Sequence, residues 1–229
     1  MGRVTILPET TKKPITVMGH RAGICWGANV SNDESNYKRG LSCIKSGHGR
    51  VMEYADVHAV LVGYSAKCLR EWYTHIGGAP SRLQASTRYI DYSKGDGFEY
   101  VTPETVKENE EALREWNDYM HETNKLIRKF IEEYRIPIED STNMLPLAYC
   151  SKMVDKRNAR NIIDMSRNRM CGRAYWEFRN ELLKDYLTAL MEYSEEWETL
   201  IKLQMKPKCE VLGYCPEEHS CDKKNMLTL

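Results

Sequence analysis

The chain has no apolar stretch in Met1–Thr16 long enough for a secretion signal, and no later run that could span a bilayer. That argues against a secreted or membrane-spanning protein and predicts a soluble, cytoplasmic one. It has no net charge, because 33 basic residues balance 33 acidic ones. A general binder of nucleic acid or anionic membrane usually carries a basic excess. Neither partner is therefore expected, and any anion site must come from local clustering. The chain also lacks a Cys-x-x-Cys pair, which removes the tight zinc knuckle. Its eight cysteines, without a secretion signal, read as reduced thiols and not as a disulfide scaffold. No internal repeat or low-complexity tract is present.

What is present suffices for a buried core, since 41% of the 229 residues are hydrophobic. One domain is expected over residues 1–207, followed by a cysteine-containing tail over 208–229. Residues 1–30 read as irregular or strand-rich, with Thr16-Val-Met and Ile24-Cys-Trp-Gly-Ala-Asn as short strands. Asn32-Asp-Glu-Ser starts a helix that Gly47 stops. Val57–Tyr64 is β-branched and apolar, hence a buried strand, and Ser65 caps the helix that follows. Thr87–Tyr92 reads as a strand, Ser93-Lys-Gly-Asp-Gly as a turn and Phe98–Val101 as a short strand. From Pro103 to about Tyr134 apolar residues recur at helical spacing. Pro137 breaks that pattern. A short helix over Glu139–Met144, a strand over Ala148–Lys156 and helices over Asn158–Arg169, Arg173–Glu195 and Glu196–Gln204 follow. The tail shows no helical period. The pieces predict an α+β fold, an antiparallel sheet of short strands beside a large helical layer.

Two segments carry chemistry. Residues 75–89 pack His75, Arg82, Gln84, Ser86, Thr87 and Arg88 around Gly77, Gly78 and Pro80, a mix that no core needs. Guanidinium forks match phosphate and carboxylate oxygens. Asn158–Arg169, read as a helix, buries Ala159, Ile162, Ile163, Ser166 and Met170 on one stripe. Arg160 and Asp164 then share one flank, and Asn158 and Arg169 the other. Taken alone, this could be a solvated helix with internal ion pairs. In the tail, Cys209, Cys215, His219 and Cys221 could fill a tetrahedral zinc shell, although their spacing favours unligated thiols.

Together the segments resemble the flavin-dependent thymidylate synthases. That family carries Arg-His-Arg, a short spacer and then Ser-x-Arg-Tyr, matched here by Thr74-His75-Ile76 and Ser86-Thr87-Arg88-Tyr89. Its later pattern is matched by Leu145-Pro146, Asn158-Ala159-Arg160, Arg169 and Ala174-Tyr175-Trp176-Glu177. Upstream, Gly47-His48 and Glu53 also correspond. The resemblance spans about residues 20 to 200 in the right order.

The resemblance implies methylation of dUMP at C5 to give dTMP. Its implied carbon donor is 5,10-methylenetetrahydrofolate, its hydride carrier FAD and its reductant NADPH. It also implies a homotetramer whose active sites are shared between subunits. Carried over by position, Glu71, Trp72, Tyr73, Thr74, Gln84, Ala85, Ser86, Thr87 and Arg88 would bind dUMP. Arg169 would bind it too, and would act catalytically by stabilising negative charge on the uracil edge. FAD would be held by Arg50, Thr74, His75, Ile76, Gln84, Asn158, Ala159, Arg160 and Asp164, and the folate would lie near His48 and Tyr89. Three family arginines are missing, at Thr74, Ile76 and Thr142 (or Asn143), and the spacer is two residues longer. Arg82 or Arg50 is expected to restore the lost positive charge. The alternatives are a flavoenzyme modifying another pyrimidine nucleotide, or a non-catalytic nucleotide-binding protein with a metal-stapled tail.

Overall fold

A four-stranded antiparallel sheet organises the chain in this computed structural model, which describes residues 2–229. Its strands are β1 (Arg3–Ile6), β2 (Asp56–Ser65), β3 (Ser81–Gln84) and β4 (Cys150–Asn158), side by side in the order β1-β2-β4-β3. Successive strand residues face opposite sides, so Val57, Ala59 and Leu61 of β2 all turn inward and are fully buried. The inward phase of β4 holds Ser151, Met153, Asp155 and Arg157.

Helices cover the sheet. They are α1 (Pro14–Cys25), α2 (Asp33–Lys45), α3 (Ala66–Tyr73), α4 (Glu104–Lys107), α5 (Glu110–Glu132), α6 (Ile138–Ser141), α7 (Ala159–Arg169), α8 (Lys184–Tyr193), α9 (Glu195–Gln204) and α10 (Lys208–Leu212). A 3₁₀ turn spans Gly49–Tyr54, and a π-helical turn, Phe178–Leu183, leads into α8. The main core joins Trp72, Phe178, Tyr186, Leu190 and Trp197 to the inner face of β2. A smaller core of Phe98, Met120, Ile127 and Tyr149 lies under α5. The α+β expectation holds.

Several boundaries move. Residues 14–25 form a helix, where two short strands were expected. Pro14 sits in its first turn, where a missing N–H is harmless. Its glycines are contact points with α2. A Cβ on Gly19 would lie 1.8 Å from the Asn36 carbonyl oxygen, and one on Gly40 would lie 2.0 Å from that of Ile15. The strand expected at Thr87–Tyr92 lies earlier, at Ser81–Gln84, and residues 87–89 form a turn. The long helix from Pro103 breaks at Asn109, whose side chain accepts from the Glu111 and Ala112 amides and caps α5 afresh. Phe98–Val101 contributes a single bridge, Tyr100 to Tyr149. The helix expected over Arg173–Glu195 starts later and contains the π turn, and the tail does hold a short helix, α10.

Candidate active site

Arg169 ends α7, and its guanidinium is held on two sides. Nη1 donates to Glu71 Oε2 at 2.7 Å and Nε to His75 Nε2 at 2.9 Å. The Phe178 ring forms the floor, 5.1 Å from the guanidinium carbon and 5.8 Å from the His75 ring. Burial first, then the charges of Arg169, Arg157 and Arg82, push the His75 imidazole down to about 4. It is therefore neutral at pH 7 and accepts the Arg169 proton through Nε2.

The loop after α3 lies along α7. Asn161 Nδ2 donates to the carbonyls of His75 (3.1 Å) and Gly77 (2.5 Å), and Asn158 Nδ2 to that of Gly78 (3.4 Å). Asn158 also caps α7 by accepting from the Asn161 amide. Gly78 has φ +74°, and a Cβ there would lie 2.7 Å from Asn158 Nδ2. Glycine is required on both counts. Thr74 closes α3 by donating to the Glu71 carbonyl, and Ile76 projects outward from the loop. The loop and the Asn158 helix thus meet.

Beneath them is a buried network that the sequence reading missed. Asp155 and Arg157, both at most 1% exposed, form a two-pronged pair at 2.6 and 2.8 Å. Trp72 Nε1 donates to the same Asp155 carboxylate, the Arg157 guanidinium lies over the Trp72 ring, and Arg157 Nη1 reaches Asn161 Oδ1. This network fixes the height of α7 against α3. Trp72 and Ala159 are fully buried, which leaves them a positioning role toward any ligand.

A second group sits beside α7 on the 3₁₀ turn. Arg160 pairs with Glu53 at 2.5 Å, and a Cβ on Gly49 would stand 3.6 Å from the Arg160 guanidinium carbon. His48 and Arg50 flank Gly49 and are exposed, and Trp26 meets the His48 ring edge-on. Asp164 pairs with Arg167.

The Gln84–Tyr89 segment lies elsewhere. Gln84 is opposite Met153, whereas Asn158 ends β4 five residues further along, a distance of roughly 17 Å at the rise of a strand. Ala85 donates its amide to the Lys152 carbonyl, and Gln84 Nε2 reaches Ser151 Oγ. Ser86 Oγ accepts from the Arg88 amide, and Arg88 Nε donates to Glu139. Tyr89 is 75% exposed. Thr142 donates to the Thr87 carbonyl. Arg82 is turned back onto Tyr73, donating to its carbonyl and stacking on its ring, while Arg50 points to solvent. Among the described residues, no three His, Cys, Asp or Glu side chains are already placed to hold a metal ion.

The family described as Thymidylate synthase complementing protein matches residues 7–192 of this chain. A flavin-dependent thymidylate synthase of Pyrococcus abyssi is 31% identical over 95% of this chain and 90% of its own length. One from Nitratidesulfovibrio vulgaris is 29% identical over 84% and 78%. Thymidylate synthase X of Helicobacter pylori, solved with FAD and dUMP, superposes with a TM-score of 0.68 at 18% identity, covering 88% of this chain and all of that one. A UMP/dUMP methylase from Streptomyces cacaoi, bound to 5-Br dUMP, superposes at 0.71 and 16% identity, covering 90% and 96%.

Proposed function

The chain belongs to the flavin-dependent thymidylate synthase family, and from that premise we propose that the loop-and-helix site around Arg169 methylates dUMP to dTMP. The carrying observation is the closure of the His75–Gly78 loop along α7, with Arg169 braced at the far end by Glu71 and a neutral His75. Bound FAD would supply the hydride, with NADPH as its reductant and 5,10-methylenetetrahydrofolate as the carbon donor. The donor set fits an anionic cofactor: Arg160 lies beside Gly49 of the 3₁₀ turn, and His48 and Arg50, which flank that glycine, are exposed. Tyr89, on the other segment, would complete the folate face that His48 begins.

The chain's own part is orientation and charge. Arg169 would turn its outer Nη2 to the uracil edge and stabilise charge developing at N3 and O2. Glu71 and His75 keep that fork in one orientation. A protonated His75 would repel the arginine, so its lowered pKa suits the role. Ser86, Thr87 and Arg88 would take the nucleotide end of dUMP. Because that segment lies at the opposite end of β4, the Ser86–Arg88 group of a second copy would complete each site, within a homotetramer.

The test is reconstitution with FAD, followed by NADPH oxidation and dTMP formation with and without dUMP and folate. Turnover that requires dUMP, and is lost in Arg169→Ala while flavin stays bound, supports the reading. A protein that takes up no flavin sinks it. Offering UMP beside dUMP decides between this substrate and the ribonucleotide rival, which the superposition on a UMP/dUMP methylase brings forward.

A further inference from the structure

The tail folds back onto the end of α7. The Leu227 amide donates to the Met170 carbonyl at 3.0 Å. Arg173 Nη1 donates to Glu217 Oε2 at 3.2 Å and to the His219 carbonyl at 3.1 Å. A Cβ on Gly172 would lie 2.0 Å from the Lys224 carbonyl oxygen and 3.3 Å from Cys221 Sγ, so the absence of a side chain there lets the tail close. This brings a cysteine distant in sequence to the tail thiols. Cys171, Cys209, Cys215 and Cys221 line one cavity of about 270 Å³. Cys209 Sγ rests 3.8 Å from Met226 Sδ. His219 is exposed and does not line that cavity.

We propose that Cys171, Cys209, Cys215 and Cys221 form a tetrathiolate Zn²⁺ site that clamps the tail to the C-terminal end of α7. Cys171 thereby takes the place that spacing offered to His219. The four thiols share the lining of that cavity; among the described residues no three of them already converge on a point, so binding would require their sulfurs to draw together. The surrounding charge suits the product. Zn²⁺ with four thiolates carries a net double negative charge, and the cavity wall holds Arg167, Arg173 and Lys208 against one carboxylate, Glu217, which Arg173 pairs. Arg179, 5% exposed, lies within electrostatic reach of Cys171 and Cys221. Arg167 Nε is buried without a hydrogen-bond partner.

The full chain, purified under reducing conditions from zinc-supplemented cells, should hold about one zinc per chain. His219→Ala should keep it, and Cys209→Ser or Cys215→Ser should lower it at least about fivefold. Cobalt loaded into the wild-type chain should give the near-ultraviolet absorption of thiolate-to-metal charge transfer and tetrahedral visible bands, a readout that needs no variant to fold. A wild-type chain with no zinc and no cobalt bands overturns the proposal. So does zinc lost in His219→Ala but kept in the cysteine variants, or a Cys171–Cys221 disulfide found by non-reducing peptide mapping.

Discussion

His75 shows how one side chain is fixed from three directions. Its carbonyl accepts from Asn161, its Nε2 accepts from Arg169, and its ring edge meets Phe178. Its pKa falls from 6.5 to about 4, through burial first and neighbouring cations second. The unfolded chain takes up that proton as pH drops through 6.5, while the folded chain refuses it until about 4. The stability His75 contributes is therefore complete above pH 6.5 and is lost as pH falls toward 4. Calorimetric melting across that window should show a steeper acid loss for the wild type than for His75→Gln. Parallel curves would contradict it. Asp155 and Arg157 illustrate what the sequence concealed. Two opposite charges two residues apart in a strand ordinarily mark its solvated face, yet here they occupy the inward phase. The cue was available in the alternation Ser151, Met153, Asp155, Arg157, but it becomes readable only once the inward side of β4 is known.

Elements with a strong period were legible. β2 follows from its β-branched run, α3 from Ser65, whose side chain accepts from the Cys68 amide, and α7 from its stripe and its Asn158 cap. The failures have a physical pattern. β3 is four residues long, lies at the sheet edge and alternates polar residues with an outward Leu83, so its pairing with β4 leaves little trace in composition. α1 was concealed by glycines that serve tertiary packing, not chain reversal. That distinction fixes the sign of a substitution. Helix propensity alone predicts that Gly19→Ala stabilises by about 1 kcal/mol. Because the new methyl would collide with backbone of α2, the variant should instead lose about 1–3 kcal/mol, measured by urea unfolding. A stabilised Gly19→Ala would show that the two helices separate freely. The π turn at Phe178–Leu183 belongs to the same class. A turn with i→i+5 bonding is invisible to a 3.6-residue period, yet it sets Phe178 beneath both His75 and Arg169 while Tyr186, Leu187 and Leu190 stay in the core.

At the scale of the molecule, β4 acts as a spacer, with Gln84 and Ala85 beside Met153 and Lys152 toward its start and α7 leaving from Asn158 at its end. If each site borrows the first group from another copy, two dead variants should revive one another. Arg88→Ala and Arg169→Ala, each inactive alone, should regain about a quarter of wild-type activity when mixed in equal amounts and reassembled. No recovery would place both groups of one site in the same copy. A strand of nine residues then has a reach beyond its length: a faulty chain would spoil pockets in sound neighbours while lending them a working half. Damage and rescue would both spread through the assembly, and output would follow the mixture of copies, not the fitness of any single polypeptide.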